Sequence, residues 1–341
     1  MKEQGSLDAM CRVGCIGLVS FGIIALGGCG SIEVALGLRM RLDKVPVTAL
    51  SASLSPGPAL SPGKSGRLVI TATTTDGKQF VTVGPGHGKV LFDSFTFTAT
   101  VAKVNKKGVV SLPADPRLSE AVVPQIQILV IGHPDVVADL DIPVRYDVAF
   151  TAKFSGSAGS RGFDGSNGLD GSSGSNGSID LTNPSAGGSG TNGSDGGDGG
   201  NGGDGQSGEN VHVWVTLKSG DHPLLQVRAA GSKHEKLFLV DPNGGTLAVN
   251  ADGGPGGAGG SGGRGGSGGS GGSGFPAGLS GQDGRNGSDG HAGSDGAAGT
   301  ITVSVDPAAQ PFLGTLHLSN KSGGRPGPAP EIRVEPVPPI W

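Results

Sequence analysis

Oxygen-bearing side chains recur at every third residue over long stretches of this chain. Asp164, Asn167, Asp170 and Asn176 form one such run. Asn192, Asp195, Asp198, Asn201 and Asp204 form a second, and Asp283, Asn286, Asp289 and Asp295 a third. Carboxylates and carboxamides are hard-oxygen ligands suited to calcium. On a threefold extended helix they would stand about 9 Å apart along one edge, from a rise of about 3.1 Å per residue. That is too far for neighbours on one stripe to share an ion, so a cation would need ligands from adjacent segments. Two expectations follow: a hydrated face on which Asp repulsion opposes aggregation, or a cation stripe at Asp195, Asp198, Asp204, Asp283, Asp289 and Asp295 with calcium as its ion.

Other chemistry is sparse. His87, His133, His212, His222, His234, His291 and His317 are scattered. The sequence lacks HExxH, and no G-x-S-x-G follows a strand and opens a helix. GPGHGKV at 84–90 has Val90 where a phosphate loop needs Ser or Thr after Gly-Lys. It therefore reads as an ordinary loop. Trp214 lies in VHVWVTL, whose alternating polarity reads as half-buried core rather than a sugar platform. No catalytic residue is assigned, and the chain reads as non-enzymatic. Net charge is −4 with no basic stripe, which argues against a nucleic-acid partner. Tyr146 is the single tyrosine, so a protein or glycan ligand has little aromatic support.

The N-terminus carries Lys2 and Arg12, then the apolar run VGCIGLVSFGIIALGG, then Cys29. A basic start and an apolar run of this length read as a secretory signal. Leu26, Gly27 and Gly28 before Cys29 resemble a bacterial lipobox. That resemblance implies removal of residues 1–28, lipidation of Cys29 and anchoring in a membrane. Two or more acyl chains hold firmly. Gly30 at the following position implies the outer membrane, facing the periplasm or the surface, in a host with two membranes. Cys11 and Cys15 would leave with the signal. The mature chain would then have no internal disulfide.

The remaining chain divides by composition. Residues 29–155 read as a β domain. VTALSASL, RLVITATTT, FTFTATVAKV, QIQILVI and IPVRYDVAFTAKF are rich in β-branched residues and alternate in polarity. SPGPALSPGKSG, TDGK, NKKG and GHPD separate them as turns. The pattern suggests a β-sandwich, and PGKSGRLVITATTTDGK resembles the early strands of bacterial immunoglobulin-like domains.

Residues 156–341 contain glycine blocks at 156–178, 187–208, 253–274 and 278–299, each with a strict period of three. The interleaved VHVWVTL, PLLQVRA, KLFLV, TLAVNA, TITVSV and TLHLS read as strands. A polyproline-II helix has three residues per turn and no internal hydrogen bonds. Glycine at every third position, as at Gly156, Gly159 and Gly162 or at Gly281, Gly284 and Gly287, leaves one edge bare for a neighbouring backbone. Block 253–274 has two glycines per triplet, including Gly254, Gly257 and Gly260. Two bare edges place it centrally, with blocks 156–178 and 278–299 outside. The short join FPA makes the last two blocks antiparallel. Each block would span about 70 Å at about 3.1 Å per residue.

Three alternatives stand against a bundle. A Gly/Ser linker needs no period. A collagen triple helix favours abundant proline, and only Pro255 lies within a block. A calcium β-roll has a period of nine and an apolar residue where Gln206 stands. The Gly-x-x blocks resemble snow flea antifreeze protein and certain phage adhesin tips. With the alternating β pieces and the ending EPVPPIW, they also resemble bacterial glycine-repeat, collagen-like lipoproteins. The fold expected is all-β: an immunoglobulin-like sandwich, then a Gly-x-x polyproline-II (polyglycine-II) bundle with interleaved strands, and essentially no α-helix beyond the signal. The resemblance implies a structural or adhesive envelope role, with self-association open.

Overall fold

The computed structural model describes residues 36, 38–84, 87–220 and 222–341. The expected signal peptide, the lipobox and Cys29 lie outside the described residues. The described chain is all-β and forms two compact units. The first holds the described residues up to Ala59 with Ser65–Ser111 and Pro124–Ile142; the second holds Leu60–Lys64, Leu112–Val123 and Pro143–Trp341.

The first unit has two antiparallel sheets. One contains β1 (Val47–Ser55), β2 (Ser65–Thr74), β3 (Gln79–Val83), β5 (Lys103–Val104) and β6 (Val109–Ser111), with β2 paired to β1, β3 and β6. The other has the order β4 (Phe95–Thr100), β7 (Gln125–Val130), β8 (His133–Asp141). Alternation decides the buried face, because successive side chains on a strand point to opposite sides. Leu68, Ile70 and Ala72 of β2 and Ile126, Ile128 and Val130 of β7 are buried. The TDGK turn places Gly77 at φ 79°, a region where glycine carries no Cβ penalty. GHPD departs from its expected role: the turn is Ile131–Gly132, and His133 already opens β8.

The second unit contains a β-sandwich and the glycine blocks. One sheet has the order β12 (Glu235–Val240), β11 (Leu224–Ala230), β10 (Val211–Lys218), β14 (Ile301–Val305), β16 (Glu331–Val334). The other has the order β15 (Leu316–Ser319), β13 (Thr246–Asn250), β9 (Ala149–Lys153). Phe150, Phe154, Val213, Val227, Leu247 and Val303 share one core between them. A short helix, α1 (Pro116–Ala121), starts with Pro116 and is capped by Asp115, whose Oδ1 accepts the Arg117 N–H at 3.0 Å.

The domain boundary expected after residue 155 is corrected to Pro143. By pattern alone β9 falls in the N-terminal domain. It pairs in parallel with β13, Thr246 opposite Ala149 and Asn250 opposite Lys153, and so belongs with the glycine blocks. Neither β9 nor β13 announces its partner, because the pairing spans the first two blocks.

The blocks form a hydrogen-bonded bundle. Block 156–178 runs parallel to block 253–274, with Gly156 N–H donating to Asp252 O at 2.9 Å and Gly174 N–H to Ser270 O at 2.8 Å. Block 187–208 runs parallel to block 278–299, with Gly190 N–H donating to Leu279 O and Gly208 N–H to Ala297 O, both at 2.9 Å. Antiparallel contacts join the two pairs. Gly200 N–H donates to Phe163 O, Gly260 N–H to Gly200 O and Gly290 N–H to Gly260 O, at 2.8–2.9 Å. Blocks 187–208 and 253–274 each bond to all three others, while blocks 156–178 and 278–299 share no backbone hydrogen bond and lie outside. The antiparallel join at FPA is as expected. The flanking strands keep the same pairings, since β9 lies parallel to β13 and β10 parallel to β14.

Shape complementarity sets the period. A Cβ placed on Gly159, Gly196, Gly263 or Gly287 would lie under 3.0 Å from a neighbouring block's backbone. In block 253–274 the first glycine of each triplet faces block 278–299 and the second faces block 156–178. That is why this block needs two. The second glycines, such as Gly257, Gly260 and Gly263, are buried, and the third position is exposed. Gly263→Ala should therefore destabilise the second unit by about 1–3 kcal/mol or more, as overpacking does. Exposed Ser270→Ala should stay within about 0.5 kcal/mol. Chemical denaturation of both variants checks the contrast.

Candidate functional site

The third-position Asp and Asn residues hold the helices together. In the parallel pair 156–178 and 253–274, Asp164 Oδ1 accepts the Ser261 N–H at 2.9 Å, Asn167 the Arg264 N–H at 2.9 Å, Asp170 the Ser267 N–H at 2.7 Å and Asn176 the Ser273 N–H at 3.0 Å. Each partner stands 97 residues away. In the parallel pair 187–208 and 278–299, Asn192, Asp195, Asp198, Asn201 and Asp204 accept from Gln282, Arg285, Ser288, His291 and Ser294 at 2.6–2.8 Å, each 90 residues away.

The glycine after each of these side chains completes a clasp. Asp198 Oδ1 accepts the Ser288 N–H, and Gly199 N–H donates back to Ser288 O at 2.9 Å. Asn167 and Gly168 hold Arg264 in the same way, through its N–H at 2.9 Å and its carbonyl at 2.7 Å. Two consecutive residues of one helix thus grip both backbone groups of one residue on the next. Asn210 and Val211 extend the clasp to Thr300, where the bundle passes into β10 and β14. Block 278–299 reaches back differently: Asp283, Asn286, Asp289 and Asp295 accept from Gly268, Gly265, Gly262 and Gly256 at 2.7–2.9 Å.

Proline obeys the same register. Pro255 has no N–H to give, and the residue 97 positions before it is Ala158, which has no acceptor. The expected cation stripe is therefore replaced by side chain-to-backbone bonds. Asp195, Asp198, Asp204, Asp283, Asp289 and Asp295 each spend Oδ1 on a neighbouring N–H, and no group of three or more His, Cys, Asp or Glu that could hold a metal occurs among the described residues.

The far end of the bundle, opposite the strands, presents a different surface. Connections 178–186 and 274–278 meet there, with Phe275 N–H donating to Ser185 O at 2.9 Å and Gly187 N–H to Pro276 O at 3.0 Å. Ile179, Leu181, Phe275 and Leu279 are 73%, 83%, 65% and 77% exposed. The one charge among residues 178–186 and 274–279 is Asp180, whose Oδ1 accepts Thr182 N–H at 2.9 Å and Oγ1–H at 2.8 Å. The Thr182 backbone bond comes first in holding its carboxyl below the usual range. Exposed apolar clusters of this kind mark interaction surfaces. Hydropathy gave only isolated apolar residues here; the chain path brings them to one end.

The scattered histidines find separate settings. His133 Nε2 lies 3.0 Å from Leu42 O. His212 stacks on Trp214 with ring centroids 3.9 Å apart and bonds Ser304 Oγ at 2.9 Å, and burial lowers its pKa. Trp214 is half-buried, with the Arg228 guanidinium 4.9 Å from its ring centre, so its ring is already engaged. His222 Nε2 meets Asp241 Oδ2 at 2.6 Å, while Asp241 Oδ1 accepts the Asn243 N–H. His291 contributes its backbone to a clasp. A cavity of about 400 Å³ beside β12 is lined by Lys64, Arg117, Phe150 and Phe238, and its Arg117 is paired with Asp115 at 2.7 Å.

Comparison with protein-family models, curated proteins and solved structures finds no match for this chain. The clasps give a direct test of side-chain chemistry. Asp198→Ala should cost about 1 kcal/mol, the worth of one hydrogen bond. Asp198→Asn keeps an Oδ1 acceptor and should fall within about 0.5 kcal/mol of the parent. Equilibrium denaturation of the two variants reads the difference.

Proposed function

We propose that this chain is a lipid-anchored cell-envelope protein with a structural or adhesive role and no catalytic activity. Cys29 takes the lipid and the apolar end of the glycine bundle makes the contact. The observation that carries the adhesive reading is the contrast between the bundle's ends and sides. Most third-position side chains are Ser, Asn, Asp or Arg and the sides carry two separate exposed apolar side chains, Phe163 and Leu169, whereas Ile179, Leu181, Phe275 and Leu279 gather at one end. The clasped bundle fixes the backbone on both sides of those connections, so little backbone entropy is left to lose on contact. In this reading the first unit is an immunoglobulin-like spacer, and the outer membrane is the anchoring membrane.

Anchor and contact separate experimentally. Cells fed a palmitate analogue should label the parent protein and leave Cys29→Ala unlabelled and out of the membrane fraction. Palmitate labelling of the C29A variant would overturn the anchor. For the contact, cells displaying the Ile179→Ser, Leu181→Ser, Phe275→Ser, Leu279→Ser combination should lose attachment to hydrophobic and host-like surfaces at unchanged surface abundance. Undiminished attachment would place the contact elsewhere.

A further inference from the structure

The sequence contains Asn-Gly at Asn167, Asn176, Asn192, Asn201, Asn243 and Asn286. Asn-Gly is the dipeptide most prone to spontaneous deamidation, because glycine leaves the following nitrogen unhindered. The Gly amide nitrogen loses its proton and attacks the Asn side-chain carbonyl carbon. Ammonia leaves as a succinimide closes, and one water opens the ring to Asp or isoaspartate. The reaction needs a free amide N–H and a side chain able to turn back on its own backbone.

The structure treats these sites unequally. At Asn167, Asn176, Asn192, Asn201 and Asn286 both reacting groups are bound to a neighbouring helix. Asn192 Oδ1 accepts the Gln282 N–H at 2.8 Å, and Gly193 N–H donates to Gln282 O at 2.9 Å. Asn201 and Gly202 hold His291 in the same way. Asn286 Oδ1 accepts from Gly265 at 2.9 Å, while Gly287 N–H donates to Gly263 O at 2.8 Å. Asn243 lies in the turn between β12 and β13. Its side chain and the N–H of Gly244 make no hydrogen bond among the described residues, and both residues are exposed. Gly244 sits at φ 107°.

We infer that Asn243 is the deamidation site of this protein, and that the clasps shield the bundle's Asn-Gly pairs from the same reaction. Reaction within a clasp requires two hydrogen bonds to open together, which lowers the reactive population by roughly a hundredfold. Modification at Asn243 adds a negative charge beside Asp241 and His222, which are paired at 2.6 Å. The isoaspartate product also adds a backbone carbon to the turn between strands of opposite sheets. Within the bundle, conversion to Asp would leave the Oδ1 acceptor in place, whereas isoaspartate would break the register.

The test is incubation of the purified protein in mildly alkaline buffer, with deamidation of each peptide followed by mass spectrometry. Asn243 should react first, faster than any bundle Asn-Gly by about a hundredfold. In denaturant all six sites should converge on similar rates. A bundle Asn that keeps pace with Asn243 in the native protein would overturn the inference. Gln282→Pro removes the donor to Asn192 and keeps the extended backbone. It should accelerate Asn192 alone, and an unchanged rate there in folded variant would overturn the clasp as the shield. If that variant does not fold, the comparison of native sites decides.

Discussion

A threefold extended helix makes no hydrogen bonds with itself, and the second unit is organised around that deficit. Buried backbone donors and acceptors must be paired, so every block depends on its neighbours. Direct N–H to carbonyl bonds require the backbones to approach closely, and this approach excludes a Cβ. At Gly263 the backbone of Ser166 occupies the space, and at Gly287 that of Gly197. The glycine period is therefore a steric requirement. None of the bundle glycines adopts a positive φ, unlike Gly77 in its turn. They are selected for the absent side chain and not for unusual torsions.

Close approach alone leaves a second set of N–H groups exposed along each parallel pair. The Asp and Asn side chains take them up, and the following glycines return the bond. The result resembles a parallel sheet in which one of the two acceptors is a side chain. It fixes register as well as contact, since Asp164, Asn167, Asp170 and Asn176 all reach 97 residues ahead. β9 and β13 pair with the same offset, Asn250 opposite Lys153. The sandwich core of Phe150, Leu247 and Val303 anchors this register at one end of the blocks, where hydrophobic burial supplies what the bundle lacks.

Much of this was readable from the residues. Alternation located β1, β2 and β7. The doubled glycines identified the many-sided position of block 253–274, because each bare edge meets one neighbour. Two features were not readable. β9 belongs to the second unit through a pairing with β13, and no local pattern marks a partner that far along the chain. The third-position Asp and Asn suggested hydration or calcium, since a single stripe reveals the spacing of side chains but not the backbone facing them. The signal that could have corrected this was present: Asp or Asn precedes glycine, and Ala158 stands where its partner Pro255 cannot donate.

Amide hydrogen exchange resolved by residue is the measurement that tests this arrangement most directly. Along block 278–299 exchange should be slow at Gly287, bonded to Gly263 O, and at Ser288, bonded to Asp198 Oδ1, and fast at Asp289, whose N–H has no hydrogen-bond partner among the described residues. The same slow, slow, fast rhythm should repeat at Gly284, Arg285 and Asn286. Uniformly fast exchange through the blocks, or protection without a period of three, would contradict the clasped bundle.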